Sequence, residues 1–253
     1  MNYELTKICT DKISEYLDID YCDLTLDKIF GAGDYITIFG GAVRDPLAGK
    51  GIHDIDIMCL PKSAISLSKL LTEKGFLKVD LYDKTQLEMY KEIHCISEPW
   101  TFIKDSKIIQ IIRPAGGVRL SNGVPSLGNL IDSYYALLSD VDISACGVFI
   151  ERDRDGIAKL KESHPHAITH CRSGVFEILK NNRMFGVHRT DMRAFKLSDR
   201  GWKNITESND IKDERRVKLM GLPTHGLQKP GYPYKYYNAT KIKPEVDLLD
   251  YFK

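Results

Sequence analysis

The chain lacks most of the features that assign a compartment or a class at a glance. Its six cysteines, Cys9, Cys22, Cys59, Cys95, Cys146 and Cys171, include no Cys-x-x-Cys pair, which excludes a zinc knuckle or a dithiol redox motif. Cys59 and Cys146 lie in apolar runs, so the cysteines read as reduced core thiols. No stretch of eighteen apolar residues occurs, and the start, Met1-Asn-Tyr-Glu-Leu-Thr-Lys, lacks the apolar segment of a signal peptide. The expectation is a cytosolic protein without a membrane partner. There is no internal repeat or low-complexity tract, which excludes a solenoid. With 253 residues, 43% hydrophobic and 28% charged, the chain can bury a real core in one or two domains.

What is present is concentrated in residues 36–57. Ile36, Ile38 and Phe39 read as a short β-strand, and Gly40-Gly41 lets the backbone turn tightly and approach a ligand with no Cβ in the way. Residues 42–47 then start a helix, whose free N–H groups and positive dipole end favour a bound phosphate. Beyond it, Ile52, Ile55 and Ile57 alternate with Asp54 and Asp56. Residues two apart on a strand share a face, so both carboxylates point the same way. Two carboxylates held close together repel unless a divalent cation sits between them, and hard oxygen ligands suit Mg²⁺ or Mn²⁺. Taken singly, a Gly-Gly pair, an Asp-x-Asp and an Arg44-Asp45 surface ion pair are all commonplace. In this order they describe a phosphate clamp beside a metal that also holds a triphosphate.

Gly40-Gly41-Ala42-Val43-Arg44-Asp45 followed by Asp54-Ile55-Asp56 resembles the signature of the DNA polymerase β-like nucleotidyltransferase superfamily. Arg-Asp after the glycines is similar to the bacterial-type CCA-adding enzymes and poly(A) polymerases. The resemblance implies metal-dependent transfer of a nucleotide from an NTP to an acceptor hydroxyl. It also implies that Gly40 and Gly41 bind the triphosphate, that Asp54 and Asp56 bind two Mg²⁺, and that Arg44 contacts the nucleotide or its phosphates.

Enzymes of that superfamily usually carry a third carboxylate on a strand beside the metal pair, where it can bind the activating metal and accept a proton. Asp142 is the candidate, in the second Asp-x-Asp, Asp140-Val141-Asp142, at the start of a strand expected over residues 141–150. The segment Asp142-Ile143-Ser144-Ala145 also resembles the Arg-Arg-Asp-Phe-Thr-x-Asn-Ala segment of CCA-adding enzymes, in which the acid contacts the ribose. The arginines before it are missing here, so metal ligand, ribose contact and solvated acid stay open. The alternative position on the 107–113 strand carries Gln110, which cannot act as a base. Arg113, at the end of that strand, could reach a phosphate at the sheet edge, though a lone arginine is more often a surface group.

The near-neutral total hides a division. Residues 1–151 carry 15 basic and 22 acidic side chains, a balance of −7, and residues 152–253 carry 21 and 13, a balance of +8. A basic second part suits a polyanion such as RNA. On a helix after His188, Arg189, Arg193, Lys196 and Arg200 share one face. Such a stripe would hold either the triphosphate or an RNA backbone by charge-assisted contacts. Trp202 or Phe185 offers a stacking surface, although each suits a core.

Helices are expected over 5–16, 24–30, 63–71 (capped by Ser63, closed at Gly75), 86–90 and 127–138, with residues 152–220 mostly helical. Residues 76–81 read as a strand, and 95–103 with 107–113 as a hairpin turning through Lys104-Asp105-Ser106. Residues 114–125 read as a loop. His164, His166, His170 and Cys171 suggest zinc only superficially, since no convincing remaining ligand accompanies them. The Pro-, Gly- and Tyr-rich tail packs as irregular coil, with Lys229 and Lys235 among aromatics that would also suit RNA.

The sequence therefore predicts an α/β (α+β) nucleotidyltransferase head with a small mixed sheet over 1–151, then a mainly helical basic region over 152–253. The expected cofactor is Mg²⁺ or Mn²⁺ and the expected partners are an NTP and an RNA 3′ end, tRNA-like or other. The alternatives are transfer to a protein or small-molecule hydroxyl, and a non-catalytic nucleotide- or RNA-binding module.

Overall fold

The computed structural model describes residues 2–25, 36–79, 96–114, 138, 141–152, 157–179 and 187–206. The first half carries α1 (Asn2–Leu17), α2 (Tyr21–Thr25), β1 (Ile36–Phe39), α3 (Gly41–Leu47), β2 (Ile55–Cys59), α4 (Pro61–Glu73), β3 (Leu77–Val79), β4 (Ile96–Lys104) and β5 (Lys107–Pro114). A 3₁₀ turn (Ser144–Cys146) leads into β6 (Val148–Arg152), β7 (Ala158–Glu162), α5 (Ala167–Ser173), β8 (Val175–Phe176), α6 (Val187–Asp199) and β9 (Lys203–Asn204).

Seven strands form one mixed sheet in the order β3-β4-β5-β2-β1-β6-β7. Only β2 and β5 run parallel among these neighbours, and β8 pairs with β9 apart from the sheet. Alternation decides the two faces. Ile55, Ile57 and Cys59 of β2 are fully buried toward a helix-covered core, each aliphatic side chain contributing about 1.5–3 kcal/mol. Asp56 and Met58 take the opposite face, where Met58 and Leu138 gather Phe39 and Phe149 into a second, smaller cluster.

On the core side, Cys9, Ile13 and Leu17 of α1, four apart, are fully buried, and α1 packs against α3 and β7. In α4, Ala64, Leu67 and Leu71 face inward. Pro61 opens that helix as its first residue after the cap position Leu60, and Ser63, expected as the cap, is a buried residue of the first turn instead. Gly75 closes it with φ 85°. The β4–β5 hairpin turns through two residues, Asp105 and Ser106, because Lys104 pairs with Lys107. Asp105 takes the positive φ of 54° that this tight turn requires.

Two expectations change. Residues 141–150 are not one strand: Ile143 makes an isolated bridge to Ile178, the 3₁₀ turn follows, and β6 begins only at Val148. The boundary after residue 151 falls inside β6, and β7 completes the sheet. The described part of 152–206 is mixed rather than mainly helical, and it belongs to the same core, since Phe176, Leu197 and Trp202 bury there with Ile38 and Ile57. The expected helices at 86–90 and 127–137, the end of that at 24–30, the 115–125 loop, Cys95, Asp140, Phe185, the Arg189 side chain and the tail lie outside the described residues. Among the described residues no helix is long and apolar enough to cross a membrane.

Candidate active site

A cleft of about 200 Å³ opens between the sheet, the start of α3 and α6, lined by Gly40, Gly41, Arg44, Asp54, Asp56, Arg193, Lys196 and Arg200, with Phe39, Val141 and Phe149 among its apolar walls. The glycine turn connects β1 to α3. Gly40 has φ 66° and ψ −129°, a backbone region open essentially to glycine alone. Its N–H donates to the Val148 carbonyl (3.2 Å) and its own carbonyl accepts from the Arg44 N–H (2.8 Å), which ties the turn to β6 and to α3. A Cβ on Gly40 would lie 3.9 Å from Asp56 Oδ2, and one on Gly41 would lie 3.5 Å from Asp54 Oδ1. The bare turn therefore runs directly beside both carboxylates.

Asp56 is the second residue of β2, opposite Phe39 of β1 and Gln110 of β5, and Asp54 precedes the strand by one residue. Tyr16 of α1 secures this approach: its hydroxyl donates to the His53 carbonyl (2.8 Å) and accepts from the Ile108 N–H (2.9 Å). Burial, reinforced by Asp54, pushes the Asp56 carboxyl up to about 7, against the pull of Lys196, Arg193 and Arg44. Nothing in the sequence pattern singled out Tyr16, because an aromatic residue on an amphipathic helix is normally core.

Arg44 is not half of a surface pair. It and Asp45 are buried, joined by an Nε–Oδ1 contact of 2.7 Å, with Arg44 Nη1 donating to Cys146 Sγ at 3.5 Å. Its guanidinium stacks over the Trp202 ring at 5.2 Å, while Lys50 approaches the same ring at 5.4 Å and donates to the Arg200 carbonyl at 2.6 Å. Trp202 is thus a buried wedge between α3 and the end of α6 rather than a free stacking platform.

The basic stripe faces the carboxylates. Arg193, Lys196 and Arg200 line the cleft, and burial holds the Lys196 ammonium below its usual range, with Asp54 and Asp56 opposing the shift. Asp142 departs from its expected place. It is fully buried, its carboxylate meets Arg193 Nη1 at 2.7 Å and accepts from Thr190 Oγ1 at 3.1 Å, and it does not line the cleft. The expected third metal carboxylate is therefore committed elsewhere. Arg113 lies over Trp100 at 4.1 Å and does not line the cleft either. His170 Nδ1 is 2.8 Å from Ser144 Oγ, and among the described residues no group of three or more His, Cys, Asp or Glu is placed to hold a metal. A pair of carboxylates is enough for Mg²⁺, which keeps waters and takes its remaining ligands from substrate phosphates. The repelling, partly desolvated Asp54 and Asp56 fit that role.

No protein-family model matches the sequence, and no curated protein matches it either. Among solved structures, a CCA-adding enzyme in complex with CTP is similar at 17% identity with a TM-score of 0.52, covering 87% of this chain and 46% of that one. A CCA-adding enzyme in complex with ATP follows at 16% identity and TM-score 0.46, covering 85% and 41%. A tRNA nucleotidyltransferase complexed with a primer tRNA and an incoming ATP analogue has 17% identity and TM-score 0.45, covering 73% and 47%. The chain spans less than half the length of these proteins. The first likeness shows that this chain shares the fold of that part of the CCA-adding enzyme.

Proposed function

We propose, from this shared polymerase β-like fold, that the protein is a metal-dependent nucleotidyltransferase that transfers NMP from an NTP to an acceptor hydroxyl, an RNA 3′ end, with release of pyrophosphate. The observation that carries the reading is the meeting, in one cleft, of Asp54 and Asp56 with the Gly40-Gly41 turn on one side and Arg193, Lys196 and Arg200 on the other. Asp54 and Asp56 hold Mg²⁺ or Mn²⁺, which when bound neutralises triphosphate charge and favours the deprotonated acceptor. Gly40 and Gly41 leave room for the phosphate chain where any side chain would intrude. Lys196 and Arg200 bring positive charge toward the departing pyrophosphate, with Arg193 beside them. Phe39, Val141 and Phe149 shield one side from water, which strengthens each of these contacts.

RNA as the acceptor is supported by the Arg44-Asp45 resemblance and by the +8 balance of residues 152–253. The test is incubation with each NTP labelled at the α-phosphate, Mg²⁺ or Mn²⁺, and total RNA in a cell lysate. Label should enter RNA at the 3′ end, and Asp54→Ala or Asp56→Ala should abolish incorporation without unfolding the protein. Label on a protein or small molecule would transfer the reading to those hydroxyls. Nucleotide binding with no transfer to any acceptor would leave a binding module.

A further inference from the structure

We infer that Asp142 is a positioning residue, whose carboxylate holds Arg193 in the cleft that contains Asp54 and Asp56. The inference rests on the nucleotidyltransferase reading of that cleft and assigns one of its side chains a task that the sequence pattern does not.

A fully buried carboxylate must be paired or hydrogen-bonded to persist as a charge. Both oxygens of Asp142 are engaged, Oδ1 by Arg193 Nη1 at 2.7 Å and Oδ2 by the Thr190 hydroxyl at 3.1 Å. Thr190 and Arg193 are three apart on α6, hence on one face of the helix, so a single carboxylate grips one turn. Asp142 itself is fixed from behind: its carbonyl accepts from the Leu179 N–H (3.0 Å), Ile143 bridges Ile178, and the Ser144 N–H donates to the Glu177 carbonyl (2.9 Å). The grip is thus anchored to the core rather than to a loop tip.

The Arg193 side chain is 36% exposed and lines the cleft together with Arg44, Lys196 and Arg200. Four like charges around one small volume repel, and without a counter-charge a half-buried side chain such as Arg193 would swing toward solvent. Arg44 has Asp45 as its partner, and Asp142 plays the same part for Arg193. A metal on Asp142 would have to displace Arg193 from it.

The test compares Asp142→Asn, Arg193→Gln and the double variant with wild type, using calorimetric titration of Mn²⁺ alone, titration of ATP and CTP with Mg²⁺, and the separation of kcat from KM. Asp142→Asn should weaken nucleotide binding and raise KM about 10- to 100-fold, the range typical of lost orienting partners. Mn²⁺ affinity without nucleotide should stay at the wild-type value. The double variant should be no worse than either single one, because both changes remove the same contact. Loss of Mn²⁺ affinity in Asp142→Asn alone would make Asp142 a metal ligand and overturn the assignment, as would additive effects or unchanged nucleotide affinity. If the wild type itself binds no nucleotide, the nucleotidyltransferase reading falls first and this one with it. Should Asp142→Asn fail to fold, Thr190→Val removes half of the grip, and it should raise KM severalfold with kcat and Mn²⁺ affinity unchanged; no change in KM would overturn the assignment.

Discussion

Asp56 sits where electrostatic preferences collide. Burial and Asp54 lift its carboxyl from 3.8 to about 7 even with Lys196, Arg193 and Arg44 nearby. A carboxyl that holds its proton more tightly in the folded than in the unfolded chain stabilises the fold in acid. That contribution is full below 3.8 and is lost as pH rises through about 7. In EDTA, the melting temperature of the wild type should therefore fall between pH 4 and pH 7 relative to that of Asp56→Asn, which has no proton to lose. Above pH 7, Mg²⁺ should raise the wild-type melting temperature and leave the variant nearly unchanged. Parallel melting curves for the two proteins in EDTA would show that Asp56 is not strained as the geometry indicates.

The β1–α3 connection is the element that brings backbone and carboxylates together, and its two glycines differ in what they require. Gly40 needs its positive φ of 66°, so Gly40→Ala should destabilise the fold by about 1–3 kcal/mol through backbone strain. Gly41 has an ordinary φ, and a Cβ there would meet Arg44 Nη2 and Asp54 Oδ1 at 3.5 Å, an ordinary contact. Gly41→Ala should then stay within about 0.5 kcal/mol of wild type in urea unfolding while weakening ATP or CTP binding, because the methyl projects toward the carboxylates. Equal stability losses for the two variants would contradict this division. At the far side of the cleft, α6 is held by Asp142 near its start and by Lys50 and Trp202 near its end. The stripe is therefore held where it shares the cleft with Asp54 and Asp56.

Across the whole molecule, the charge asymmetry acquires a direction once α6 is placed. Arg193, Lys196 and Arg200 line the cleft that holds Asp54 and Asp56, so under the proposed function the stripe would serve the triphosphate and the longer-range positive charge of the second part would serve RNA. RNA affinity should fall steeply with salt, as counterion release demands. Lys196→Ala should leave the log–log slope of that dependence nearly as in wild type while reducing ATP affinity about tenfold, roughly the value of one charge-assisted contact. A slope flatter by about one unit in Lys196→Ala, with ATP affinity intact, would place an RNA phosphate on α6 instead.

By itself the sequence determined the local chemistry. Gly40-Gly41 marked a tight turn between strand and helix, Asp54 and Asp56 shared a face because strand side chains alternate, and Cys9, Ile13 and Leu17 followed the helical period. These features depend on neighbours a few residues away, so they are legible in a string of letters. Tertiary structure decided everything that depends on partners far along the chain. It joined β6 and β7 to the sheet, where composition had suggested a boundary, because pairing partners are set by core closure and not by charge balance. It buried Arg44 against Asp45 and Trp202, residues that read singly as surface groups or as a stacking platform. It also turned Asp142 away from the cleft and toward Arg193, a partner 51 positions later. A carboxylate looks the same in sequence whether it faces a cation from a metal or from an arginine, and only the packing of α6 over the sheet selects between them.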